Sequence, residues 1–333
     1  MDFSFIFQDW LGTPIWLWSA FLTLVIVLLV ADLGLFHRGA RVIGVKESLA
    51  LSAFYISVGV AFGAWVWWYL GQETGLAYLT GFVIEKSLAM DNIFVIAMIF
   101  TALAIPAHLQ HRVLFWGVLG VVVLRGIMIG MGAALVSNYA WVLYVFAAFL
   151  VWTGIGMWRA SGKAYDVEGS PILRFLRARL PITDGLHGER FWVRQADPRT
   201  GQLRTFATPL LLALLMIEFV DVVFAVDSIP AIFAITTDPF VVYTSNIFAI
   251  LGLRALYFAL AAMVDRFAYL KQALAVLLIF IGSKIFVADM LGLAKFPPML
   301  SLGITFAILA TGIGWSLWKT REGGRAPALP NAS

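Results

Sequence analysis

The sequence predicts an all-α polytopic membrane protein of about nine transmembrane helices, with a 3+3 inverted repeat at its centre. Three observations carry that reading. Hydrophobic residues make up 62% of the 333 and charged residues 13%, with a mean hydropathy of +0.92, a balance foreign to ordinary soluble domains. The apolar residues gather into stretches long enough to cross the ~30 Å hydrocarbon layer. Two of those stretches also share an acidic signature: Glu85-Lys-Ser-Leu-Ala-Met-Asp91-Asn92-Ile and Asp221-Val-Val-Phe-Ala-Val-Asp227-Ser228-Ile.

In chain order the expected spans are 14–36, 49–70, 77–100, 113–136, 141–158, 206–236, 242–264, 273–291 and 298–318. The N-terminal residues offer no basic n-region and no small-residue cleavage site, so the first span is expected to be retained. Trp65, Trp67, Trp68, Tyr69, Tyr139 and Trp141 gather near span ends, where aromatic rings favour the membrane–water interface. Basic residues set the orientation. With the N-terminus outside and the C-terminus inside, 18 of the 23 Lys and Arg fall in inside segments, and Lys295 alone in an outside loop. Lys86, Arg125, Arg254 and Lys284 lie within spans. This is the positive-inside pattern, so the net charge of +4 reflects topology and gives no sign of a nucleic-acid partner. With no cysteine in the chain, disulfides and thiolate ligands are excluded.

The repeat extends beyond the acidic signature. Val123-Leu-Arg125-Gly follows the first motif and Gly252-Leu-Arg254-Ala the second; Thr153-Gly154 is later matched by Ile281-Gly282. Spans 3–5 therefore match spans 6–8 in order. A unit of three spans forces its second copy to enter from the opposite side, the inverted plan of many secondary transporters. The segments are then 1–72 (spans 1 and 2), 73–158 (first repeat), 159–205 (inside loop), 206–292 (second repeat), 293–320 (span 9) and 321–333, a polar Pro/Gly-containing tail expected to be disordered. In the loop, Ser170-Pro171 opens a short basic amphipathic helix expected to lie on the membrane surface. Residues 191–195 and 202–206 read as a hairpin around Asp197-Pro198.

Charges at bilayer depth cost several kcal/mol and mark ion or proton paths. Glu85, Asp91, Asp221 and Asp227, joined by Glu218 three residues before Asp221, are five such acids. On a straight helix the two acids of one motif are about 9 Å apart along the axis. Either the helix is interrupted at the site or the acids are successive stations. Pro230 favours interruption, since it leaves the Val226 carbonyl without its donor. Carboxylate, amide and hydroxyl oxygens (Asn92 and Ser228 included) are hard ligands that suit Mg2+, Ca2+ or Mn2+. Clustered carboxylates repel one another when ionised, which would let an arriving metal displace protons. Lys86, Arg125, Arg254 and Lys284 are candidate gates or counter-charges, and Asp32 is either an inner-mouth ligand or a simple interfacial residue. A purely structural ion-pair network is the competing account.

At these residues the chain resembles the TerC family, named for tellurium resistance, and within it the Alx-type branch. Besides the two motifs, Glu218-Phe-Val-Asp221, Thr236-Thr-Asp238-Pro-Phe240 and Thr244-Ser-Asn246-Ile carry the likeness, over about residues 14 to 320. The resemblance implies a bacterial inner-membrane exporter of Mn2+, with Glu85, Asp91, Glu218, Asp221 and Asp227 as its acidic positions. One departure stands out. The family's first repeat usually ends Thr-Gly-x-Lys, whereas Gly156 occupies the lysine position here; the second-repeat counterpart, Lys284, is retained. The expected function is divalent-cation export, Mn2+ first, coupled to protons, with membrane lipids as surroundings, no organic cofactor and no enzyme activity. Tellurite, an anion, is a poor fit for a carboxylate-lined site. The alternative is a membrane hub of a metal-stress response that docks partners through the inside loop. Sequence alone leaves the oligomeric state open.

Overall fold

The structure is a computed structural model and describes residues 8–36, 44–160, 167, 169–196, 201–261, 270–293 and 296–322. A small hairpin, β1 (Asp9–Trp10) and β2 (Thr13–Pro14), precedes α1 (Ile15–Phe36), α2 (Val45–Leu70), α3 (Gln72–Ala102), α4 (Ala107–Asn138) and α5 (Val142–Ala160). The connector contains α6 (Pro171–Arg179) and an antiparallel hairpin, β3 (Trp192–Ala196) with β4 (Leu203–Ala207). Then come α7 (Pro209–Phe233), α8 (Pro239–Leu251), α9 (Leu253–Ala261), α10 (Leu270–Met290) and α11 (Pro298–Glu322).

Helix therefore occupies part of each of the nine expected stretches. By length and apolarity, the described helices supply six spans (α2, α4, α5, α7, α10 and α11), or seven if α8 and α9, bent by 42° at Gly252, count as one. α1 adds a shorter apolar stretch, Ile15–Ala31. α3 falls short for a telling reason: every 18-residue stretch of it holds three of Glu73, Glu85, Lys86 and Asp91. The charges of the acidic motif themselves defeat its apolarity. Elsewhere, exposed side chains such as Ile26, Val30, Val123, Ile127, Met131 and Trp152 would be a liability in water and suit contact with lipid.

α3 is the hub. It packs against α2, α7, α8 and α11, α4 packs against α7 and α8, and α5 lies along α10. The α5–α10 contact is close because two glycines allow it. A Cβ on Gly154 would lie 2.8 Å from the Ala275 carbonyl oxygen, and one on Gly282 would lie 2.5 Å from the Ala147 carbonyl oxygen. Small residues let membrane helices approach in this way. Because the later glycine of each helix meets the earlier part of the other, α5 and α10 run antiparallel. α3 and α7 also cross antiparallel, with Gly81 near Ile232 and Asn92 near Asp221.

Two expectations are corrected. α7 is unbroken through Pro230; the proline lies in the last turn, so the helix loses one bond just before it ends. The break falls instead at Gly252 between α8 and α9. Ser170 occupies the position before α6, but its hydroxyl makes no capping bond. The hairpin forms where the sequence placed it, shifted by one residue. α6 buries Leu173 and exposes Phe175. The tail from residue 323 and the side chain of Asp32 lie outside the described residues, while α11 reaches Glu322.

Candidate ion site at the crossing of the two motif helices

Where α3 and α7 cross, the side chain of Arg125 from α4 is enclosed at 1% exposure. Its guanidinium fork grips Asp221 with both arms: Nε donates to Oδ2 at 3.2 Å and Nη2 to Oδ1 at 3.0 Å. Nη1 donates to Glu85, to the Ser228 hydroxyl at 3.1 Å and to the Asn246 side-chain oxygen at 2.7 Å. Asn92 and Asn246 complete the set by donating to Asp221 and Glu85 at 3.5 and 3.4 Å. The planar, permanently charged guanidinium suits this two-carboxylate geometry in a way an ammonium does not. Each first-position acid thus faces the small polar residue of the other motif: Asp221 meets Asn92, and Glu85 and Ser228 accept from the same Arg125 Nη1.

The second-position acids have a different setting. Asp91 and Asp227 line a cavity of about 110 Å3 together with Glu85, Asn92, Arg125 and Ser228, walled by Leu88, Met157, Phe224, Leu274 and Leu278. Among the described residues, the cation nearest Asp91 is Lys271, 3.9 Å from Oδ1. Asp227 lies beside Thr153 of α5. Glu218 sits apart, half-buried against Gly120 of α4, where any Cβ would collide with its carboxylate. Among the described residues, no three His, Cys, Asp or Glu side chains converge closely enough to hold a metal ion between them.

The remaining cations are spread along the bundle. Lys86 donates to the Ala249 carbonyl at 3.0 Å and Lys284 to the Ser301 hydroxyl at 3.2 Å. Arg254, buried at 4% exposure, lines a small cavity with Asp221, Asn92 and Gly117. At the N-terminal end of α3 a vestibule of about 690 Å3 opens, lined by Glu73, Thr80, Asp238, Lys284 and Asp289 among others. Thr80 is five residues from Glu85, about 7.5 Å along the helix. Asp238 caps α8 by accepting from the backbone N–H groups of Phe240 and Val241. Burial raises its pKa above the usual carboxylate value despite those two bonds. The opposite end is filled by an apolar cluster including Ile96, Phe100, Val113, Leu114, Met216 and Leu256.

Two site residues escaped the sequence reading, Asn246 and Lys271. Asn246 did have a signal: Thr244-Ser245-Asn246 is a polar run inside an apolar helix, and all three are fully buried. Thr244 and Ser245 bond back to the carbonyls of Phe240 and Val241, whereas Asn246 has its bonds in the site. Lys271 gave no local signal, since only the fold brings α10 to Asp91.

Such a bundle, with matched acids from two helices meeting a buried arginine, defines a multi-pass integral membrane protein of transporter type. Residues 70–323 match the integral membrane protein TerC family, and the chain belongs to that family. It is 47% identical over 311 residues to an uncharacterized Myxococcus xanthus membrane protein, covering 93% of this chain and 94% of that one. It is also 47% identical over 316 residues to an Escherichia coli K12 protein, and 46% identical over 320 to one from Salmonella typhi. Both carry the provisional name membrane-bound redox modulator Alx; 92% and 93% of this chain are covered, with 95% and 96% of theirs. No solved structure matches the chain.

Proposed function

We propose that the protein exports divalent cations, Mn2+ foremost, across a bacterial inner membrane by alternating access, exchanging them for protons at the acidic site. One observation carries this reading: acids from two matched helices meet at a single buried point, beside a cavity that holds two more. Charge placed so deep is expensive unless it has work to do. Asp91, Asp227, Asn92 and Ser228 offer hard oxygen ligands suited to Mn2+, with Ca2+ and Mg2+ as its chemical competitors. Glu85 and Asp221 are engaged by Arg125 and set the negative field beside them. An entering dication favours ionised carboxylates, so it would displace whatever protons they hold.

In this reading nine spans cross the membrane, α1 and α3 included, with the N-terminus and the vestibule outside and α6 and the β3–β4 hairpin inside. The inverted repeat is supported by the packing of matched helices. Gly154 against Ala275 is mirrored by Gly282 against Ala147, and Asn92 against Asp221 by Ser228 near Glu85. Both pairings are antiparallel, as inversion requires. The redox name borne by relatives does not extend to thiol exchange here, because the chain has no cysteine. Effects on redox balance or tellurite tolerance would follow from manganese levels.

The test is transport by purified protein in liposomes, with Mn2+, Ca2+ and Mg2+ compared under imposed pH gradients. Asp91→Asn and Asp227→Asn should each abolish Mn2+ flux while the protein still inserts and elutes as the parent does. Undiminished flux in both variants would remove these acids from the path.

A further inference from the structure

The two arginine-bearing segments occupy matched places in the repeat and yet differ in shape. α4 is one helix of 32 residues through Arg125, whereas its counterpart is broken by 42° at Gly252, two residues before Arg254. Val123 holds the matching position in α4. The two guanidinium groups differ accordingly. Arg125 reaches across the crossing and bridges Glu85, Asp221 and Ser228. Arg254 lines a second, small cavity with Asp221 and Asn92. Under the repeat these surroundings correspond: Glu85 matches Asp221, and Ser228 matches Asn92.

We propose, building on the transport reading above, that Arg125 and Arg254 are alternative counter-cations of one site and that their exchange accompanies the switch in access. In the present state Arg125 bridges the two acids, with the vestibule at one end of the bundle and, among the described residues, a cluster of apolar side chains filling the other. When two inverted units exchange conformations, the bend moves from α8–α9 to α4. Arg254 then spans Asp221, Glu85 and Asn92, while Arg125 withdraws to the side of Glu85 and Ser228. The apolar end opens and the vestibule closes. Only one guanidinium can bridge at a time, because a second would bring like charge into the same enclosed space. Mutual exclusion of that kind makes an element two-state rather than graded. Arg254 is thus a positioning residue: its reach, rather than ligation of cargo, decides which face is open.

The absence of native cysteine permits a clean test on the full chain in liposomes, with a membrane-impermeant maleimide applied from each face. Thr80→Cys reports the vestibule floor and Leu114→Cys the apolar end. In the Arg254→Gln background, Thr80→Cys should stay reactive from the vestibule face and Leu114→Cys should be protected. Arg125→Gln should reverse that preference, by about tenfold or more in the ratio of the two rates. If Arg125→Gln alone does not reach the membrane, the Glu85→Gln/Arg125→Gln pair, which leaves Asp221 for Arg254, must show the same reversal. Lysine at either position should restore an intermediate ratio. Both glutamine variants favouring the same face, or neither moving the ratio, overturns the exchange. Mn2+ uptake by the unmutated protein is measured in parallel. Its absence beside a reversed ratio sinks the cargo assignment alone, and its presence beside an unmoved ratio sinks the exchange alone.

Discussion

Glu85 and Asp221 open the two copies of the acidic motif, and Asp91 and Asp227 close them, but the two pairs live differently. The first pair is tied to Arg125, Asn92, Asn246 and Ser228 by a set of directed bonds. The second pair borders open volume, and its nearest described cation is Lys271 at 3.9 Å. The lesson is that a repeated motif need not repeat its role. Acids saturated by a guanidinium hold helices in register, while acids facing a cavity remain available to something that arrives.

The sharpest way to break this comparison is to remove the guanidinium. In an Arg254→Gln background, where no second guanidinium can take its place, Arg125→Leu leaves two buried carboxylates without their partner, and the loss of stability should be about 3–5 kcal/mol, read from thermal unfolding in detergent. Loss near zero would mean that the acids are not held by Arg125. Asn246→Leu takes one acceptor and one donor from the same network and should cost about 1–3 kcal/mol; the matched measurement on Asp227→Asn should show little change in stability alongside its lost flux. Gly282→Val tests the α5–α10 contact instead. It overpacks a helix pair at the Ala147 carbonyl and should cost about 1–3 kcal/mol, with Gly156→Ala, which faces open space, as the silent control. The smallest effect is expected at the vestibule rim: Asp238→Ala removes the α8 cap for about 1 kcal/mol. A larger loss there would tie the rim to the site more closely than its geometry suggests.

Much of this was legible in the chain. Composition gave the membrane class, and apolar length placed helix in all nine stretches. The paired signature picked out residues that do meet: Glu85, Asn92, Asp221 and Ser228 around Arg125, and Asp91 and Asp227 at the adjoining cavity. What could not be read was which acid each cation would choose. Lys86 and Lys284, equally plausible as ion-pair partners, go to a carbonyl and a hydroxyl, because side-chain reach and helix rotation decide pairing and neither is encoded locally. The helix break was misplaced for a related reason. Pro230 is a strong breaker, but a proline in a last turn ends a helix rather than interrupting it. Gly252, with no comparable sequence signal, is where the chain bends.

The three charges on every stretch of α3 bear on how the chain is first made. A segment so marked is a poor candidate to leave the insertion machinery alone for lipid, since each ionised group resists partition. Arg125, on the very next helix, cancels part of that resistance through Glu85. If α3 crosses the membrane as the nine-span proposal has it, α3 and α4 have reason to be released into the bilayer together as a hairpin, joined by the short turn before Ala107. Asp221 would then be born into a membrane where its partner already waits.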